Sequence, residues 1–219
     1  MITRRHANLA LLSTAVLTAT HGFAAAQDLQ AIELPPPRKE GGKPLMQAVL
    51  ARRSIRDYSD RPLPPQVLSD LLWAAFGINR PPSGDRTAPS WRHSIETEIY
   101  AVMAEGIWRY DPKAHRLSPH LRGDSRAQTG TQDFPATAPV NLVYVADGSR
   151  MGDASPDDKR LYAFTDAGFI GQNVYLFCAS EGLATVFRAS VDREALARTM
   201  RLDRSRFITC AQTVGYRKE

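Results

Sequence analysis

Arg52-Arg53-Ser54-Ile55-Arg56 is the densest group of chemically useful side chains in this 219-residue sequence. In extended backbone, residues two apart face the same side. Arg52, Ser54 and Arg56 would then point together, while Arg53 projects oppositely or contributes its backbone N–H. A planar guanidinium can bind two oxygens at once, so the natural guest of such a cradle is a dianionic monoester phosphate. The same arginines would also suit a solvated helix end, where the helix dipole favours cations. Spacing alone leaves both readings open.

No other segment supplies a competing catalytic set. The sequence contains no zincin helix, phosphate loop, dinucleotide fingerprint or nucleophile elbow. Two cysteines are too few for a disulfide scaffold, or for a structural zinc site with ligand pairs at short spacing. Cys178 and Cys210 lie in the apolar runs Tyr175-Leu176-Phe177-Cys178 and Phe207-Ile208-Thr209-Cys210, and are expected as buried thiols, neither disulfide-bonded nor nucleophilic. No metal ligand set is predicted.

Several elements must position the arginine cluster. Leu45, Met46, Val49 and Leu50 predict a first helix ending near Arg52. Pro64-Pro65 open a second, with Val67, Leu68, Leu71, Leu72, Ala75 and Phe76 at helical spacing, ended by Gly77 and Pro81-Pro82-Ser83-Gly84. Residues 95–103 and the segment from Gly106 to Tyr110 predict a hairpin, and 111–134 reads as a polar loop with at most a short helix. A buried strand over 140–146 is followed by a long helix over 158–181, a strand over 183–187, a helix over 192–200 and a strand over 207–216. Ala167, Gly168 and Gly171 on the long helix would admit close packing, within one subunit or across a dimer. This order predicts a single α+β (mixed α/β) domain.

Composition agrees. Apolar residues at 43% and charged residues at 23% exclude a wholly disordered, collagen-like or multi-span membrane protein. The net charge of +5 comes from scattered lysines and arginines, which favours small anionic ligands at least as much as nucleic acid. Residues 1–26 have the layout of a secretory signal: Arg4 and Arg5, an apolar stretch over 9–19, and Ala24-Ala25-Ala26 before Gln27. The expected location is periplasmic or secreted, without stable membrane insertion, because the apolar part is too short for a permanent anchor. The adjacent arginines suit twin-arginine export, which moves proteins already folded around a cofactor. Residues 27–43, with Pro35-Pro36-Pro37 and Gly41-Gly42, read as an extended leader, and 44–219 as the folded domain.

From these residues outward, the chain resembles the FMN-dependent nitroreductase family, in particular its SagB-type dehydrogenase-like branch. The resemblance rests on five landmarks in order. They are Ala51-Arg52-Arg53-Ser54-Ile55-Arg56-Asp57-Tyr58, Leu71-Leu72-Trp73-Ala74-Ala75-Phe76-Gly77-Ile78-Asn79-Arg80, Arg86-Thr87-Ala88-Pro89-Ser90, Gly171-Gln172-Asn173 and Val214-Gly215-Tyr216. Each string is weak by itself; together they span nearly all of the chain after the leader.

The resemblance implies a nitroreductase-like fold, a central and mostly antiparallel sheet flanked by helices. It assigns the flavin phosphate to Arg52, Ser54 and Arg56, with Arg53 adjoining and Arg217 or Lys218 reaching in from the terminus. Thr87 to Ser90, including Pro89 and Ser90, would run beside the flavin, with His93 and Ile95 where the family has an asparagine and a glutamine. Arg188-Ala189-Ser190 would pass the reactive flavin nitrogen and donate a backbone N–H, with Ala189 replacing the usual glycine. Alanine serves there only if its φ is negative.

It further implies FMN as cofactor, NAD(P)H as a candidate donor, and a homodimer that buries much of the helix from Leu161 to Phe177. The cofactor would carry the chemistry, passing two electrons to a small acceptor such as a nitro compound or quinone, so the resemblance implies no essential catalytic side chain. Two alternatives stand beside this: an exported flavin-binding or electron-relay protein with little turnover, and an anion-binding module.

Overall fold

A computed structural model describes residues 29–218, so the signal expected over 1–26 lies outside the described residues. In chain order the elements are β1 (Ile32–Glu33), α1 (Leu45–Ala51), α2 (Pro65–Phe76), β2 (Ile78–Arg80), β3 (Asp85–Arg86), β4 (Thr97–Met103), β5 (Gly106–Asp111), β6 (Arg116–Arg122), β7 (Val140–Asp147), α3 (Pro156–Glu181), β8 (Ala184–Arg188), α4 (Arg193–Thr199) and β9 (Arg206–Gly215).

Local chemistry sets the helix ends. Pro65 opens α2, where a missing N–H is harmless. The Ser155 hydroxyl accepts the Asp158 N–H at the start of α3, and Asp157 and Asp158 complement the helix dipole there. Gly182, at φ 73°, ends α3 in the left-handed conformation that glycine adopts without strain. Asp192 caps α4 by accepting the Ala195 N–H at 3.0 Å.

The main sheet has seven strands in the order β1-β6-β5-β4-β7-β9-β8, every neighbouring pair antiparallel. The expected α+β architecture, an antiparallel sheet flanked by helices, is what the chain adopts. Successive residues of a strand face opposite sides, and the core divides accordingly. Ile99, Ala101, Leu142 and Tyr144 pack with Leu71, Leu72, Ala167, Ile170 and Val174 of α2 and α3. Tyr100, Val102, Val143 and Val145 pack with Leu196 of α4 and with Met200 on the other face. Gly171 lets α3 approach β8, since a Cβ there would stand 2.4 Å from the Phe187 ring. Cys178 and Cys210 are buried with free thiols, in line with the expectation.

Two stretches depart from the sequence reading. The polar segment 111–134 contains β6, a full strand paired with β5. Leu117 is its one fully buried residue, and the alternation Leu117, Pro119, Leu121 is spoiled by a proline at its centre, which argues against a strand. The leader is extended but packed: β1 pairs with β6, Leu34 is buried, and Gln30 accepts the Trp108 indole N–H at 2.9 Å. Arg38 also binds Asp70 of α2 through its backbone N–H and guanidinium, both at 2.7 Å.

Candidate functional site

The arginine cluster leaves α1 in extended form, with Arg52 at φ −57°, ψ 126°. Arg52 and Ser54 converge as alternation requires. Their meeting point is Tyr175 of α3: the Arg52 guanidinium lies 5.1 Å from the ring centroid, and the Ser54 and Tyr175 hydroxyls are 2.7 Å apart. The Tyr175 oxygen also accepts the Phe187 N–H of β8 at 3.0 Å. Arg53 and Arg56 are exposed, and no hydrogen bond or ion pair ties Arg56 to the Arg52–Ser54 pair. The expected three-way convergence is thus realised between side chains for two residues.

The segment after the cluster is clamped onto the ends of β8 and β9. Ile55 N–H donates to the Thr185 carbonyl at 2.9 Å, Ser59 N–H to Tyr216, and Lys218 N–H to Asp57 at 3.4 Å; Tyr58 and Arg217 form a β-bridge. The buried Tyr58 hydroxyl donates to the Ile55 carbonyl at 2.6 Å and holds the bend. Burial pushes that phenol well above its ordinary pKa, which keeps it a donor. These contacts hold the backbone of Arg217 and Lys218 against Asp57 and Tyr58, the residues that follow Arg56. Among the described residues, no carboxylate pairs with Arg52, Arg53, Arg56, Arg217 or Lys218. An uncompensated set of guanidinium, ammonium and hydroxyl donors fits a phosphate.

Ala189 and Ser190 lie at the other end of β8, about 13 Å from Thr185 at ~3.3 Å per residue. Both are exposed. Ala189 is not among the non-glycine residues with positive φ, so the condition for alanine to replace glycine is met. Its carbonyl accepts the Val191 N–H and an Arg193 guanidinium N–H, and the Ser190 carbonyl accepts the Thr131 N–H at 3.1 Å. The preceding Arg188 turns inward. Its guanidinium donates to the Thr129 carbonyl, Asn141 Oδ1 and Thr213 Oγ1, while Nε is buried without a partner among the described residues. Burial lowers its pKa to about 10, and no carboxylate among the described residues offsets its charge.

Pro89, Ser90 and His93 form a separate group. Trp91 N–H donates to Asp166 of α3 at 2.7 Å and the Trp91 ring stacks on Tyr162 at 4.9 Å. Asp166 and Tyr175 stand roughly 13 Å apart along α3, at ~1.5 Å of rise per residue. The Ser90 hydroxyl donates to Glu96 and accepts the Ile95 N–H, holding a tight loop in which Arg92, His93 and Ile95 all have positive φ. His93 projects outward, its side chain 86% exposed and Nδ1 3.6 Å from Asp85. The structure therefore joins the arginine cluster to the Ala189 loop through β8, and sets the Pro89–His93 loop apart.

Sequence reasoning missed Tyr175, the hub beneath Arg52 and Ser54. Its place in the apolar run before Cys178 suggested only core. The Asp166–Glu96 carboxylates beneath the Ser90 loop were missed too; they are distant in sequence and meet only on folding. Two apolar surfaces stay uncovered in the single chain: Leu45, Met46, Val49 and Leu50 on α1, and Leu161 and Phe169 on α3.

A family model described as the nitroreductase family matches residues 49–216. A protein of Methanocaldococcus jannaschii provisionally named a nitroreductase is 33% identical over 152 residues, covering 65% of this chain and 76% of its own. A crystal structure from Ralstonia eutropha JMP134, also provisionally named a nitroreductase, superposes with a TM-score of 0.84 at 38% identity, covering 90% of this chain and 93% of that one. The NADPH:FMN oxidoreductase of Vibrio harveyi shares the fold with a TM-score of 0.58 at 20% identity, covering 80% and 69%.

Proposed function

The chain belongs to the nitroreductase family, and from that premise we propose that it is an FMN-dependent oxidoreductase passing two electrons to a small acceptor such as a nitro compound or quinone. FMN, when bound, supplies the two-electron exchange. The chain's own residues bind and orient it. Arg52, Ser54 and Arg56, with Arg53 nearby and Arg217 or Lys218 from the terminus, hold the phosphate. The Ala189–Ser190 loop supplies backbone polarity at the reactive edge, and Pro89, Ser90 and His93 border the ring. The buried charge of Arg188 beside that loop favours an anionic guest.

One observation carries this reading: Arg52 and Ser54 share Tyr175, while backbone contacts hold Arg217 and Lys218 against Asp57 and Tyr58, directly after Arg56. The test is flavin occupancy. Purified protein should be yellow and release FMN on denaturation, and Arg52→Ala or Arg56→Ala should weaken retention by about 1–3 kcal/mol, the scale of a charge-assisted hydrogen bond. A colourless protein that FMN cannot reconstitute would end the proposal. An electron relay with little turnover would bind FMN equally but fail to sustain nitro or quinone reduction with NAD(P)H.

Three further points belong to the same proposal. Homodimerisation is supported by the exposed apolar side chains of α1 and α3, which a soluble single chain would otherwise leave in water. Placement in the SagB-type branch is supported by the landmark strings. Export is supported by the layout of residues 1–26, and an N-terminus at Gln27 in protein recovered from the periplasm would test it.

A further inference from the structure

A cleft of about 900 Å³ opens where the loop after β8 meets the N-terminal half of α3, a volume in the range of small-molecule sites. Its floor is apolar, from Phe164, Val191, Phe207 and Ile208, and its walls are basic. Arg206 is already neutralised, by Glu98 at 3.1 Å, Asp147 at 3.2 Å and Asp203. The two carboxylates on the lining are also engaged: Asp192 caps α4, and Glu194 turns to solvent beside Arg198. Among the described residues, no carboxylate pairs with Lys159, Arg160, Arg193 or Arg204, so these four cations outnumber the two carboxylates on the lining, Asp192 and Glu194.

Arg193 gives the cleft its geometry. Its Nε donates to the Thr209 carbonyl at 2.9 Å and Nη2 to the Ala189 carbonyl at 3.0 Å, while its guanidinium lies 5.3 Å from the Phe164 ring centroid. The side chain is therefore fixed by neutral acceptors that leave its charge intact, and it ties the cleft to the Ala189–Ser190 loop.

We propose that this cleft binds an aromatic carboxylate that also carries a reducible substituent such as a nitro group, its ring against Phe164 and Phe207 and its anionic end toward Arg160, Arg193 and Arg204. The cleft seats this molecule as the electron acceptor, the nitro group being what is reduced. The binding stands on the cleft alone. Its assignment to the acceptor rests on the flavin reading, because Ala189 and Ser190 adjoin both.

Calorimetry with 4-nitrobenzoate and its uncharged isostere 4-nitrobenzamide tests this on the full protein as purified. The carboxylate should bind about tenfold more tightly at low salt, and the preference should shrink as salt screens it. Arg160 and Arg204 are exposed, so the double variant Arg160→Gln/Arg204→Gln should remove most of the preference and leave the melting temperature unchanged. Equal affinity for the two probes would overturn the proposal. So would a double variant that keeps the preference, or one that changes only dimer dissociation. Flavin absorbance separates the two readings: colourless protein that still prefers the carboxylate sinks the acceptor assignment, and yellow protein without preference sinks the cleft.

Discussion

Tyr175→Phe isolates the hub beneath the arginine cluster. The variant keeps the ring, and with it the packing of α3 and the stacking surface for Arg52 at 5.1 Å. It deletes the oxygen that meets the Ser54 hydroxyl at 2.7 Å and accepts the Phe187 N–H at 3.0 Å. Ser54 is exposed and can turn to water, so its loss is small. The Phe187 amide is half-buried, and a donor left unmade in such a place costs about 1–3 kcal/mol. Partial access of water brings the expected destabilisation to about 1–2 kcal/mol. For a domain of this size, that lowers the melting temperature by roughly 2–8 °C. With Ser54 no longer held, FMN affinity should fall about 3–10-fold. Thermal melts by circular dichroism and fluorescence titration with FMN read the two effects separately. A melting temperature within about 1 °C of the parent, with unchanged FMN affinity, would refute the hub.

The buried Asp166 gives a pH signature. Burial, with the neighbouring Glu96 charge and against the Trp91 N–H bond, raises its pKa from 3.8 to about 6. A raised folded-state pKa means that this stability is full below the unfolded value and lost as pH climbs through about 6. Asp166→Asn should flatten that loss, gaining roughly 1–3 kcal/mol at pH 8 in urea titrations; equal pH slopes in parent and variant would contradict the assignment. Gly171→Ala should destabilise by about 1–3 kcal/mol through overpacking, because its Cβ would drive the Phe187 ring off Tyr144. A neutral result in chemical denaturation would show that the α3–β8 contact yields easily. Arg188→Lys should cost about 2–4 kcal/mol, since one ammonium cannot reproduce the fork to Thr129, Asn141 and Thr213; an unchanged denaturation midpoint would refute it.

Much of this protein was legible from short-range chemistry. Pro65, Ser155, Gly182 and Asp192 act within one helical turn, so α2, α3 and α4 end near where the sequence placed them. The apolar runs of β7 and β9 are buried on both faces and announce themselves by composition. Alternation put Arg52, Ser54 and Arg56 on one side; Arg52 and Ser54 meet at Tyr175, and Arg56 does not join them there. Folding alone decided the rest. β6 became a strand because β5 and β1 offered it backbone partners, despite the proline at its centre. Tyr175 became the floor of the cluster because α3 crosses β8 closely at Gly171. Arg160 lies far along the chain from Arg193 and Arg204, and the three share one cleft only once α3, α4 and the turn before β9 converge. Capping and periodicity are local forces that a sequence displays directly, whereas which distant charges meet depends on the packing of whole elements.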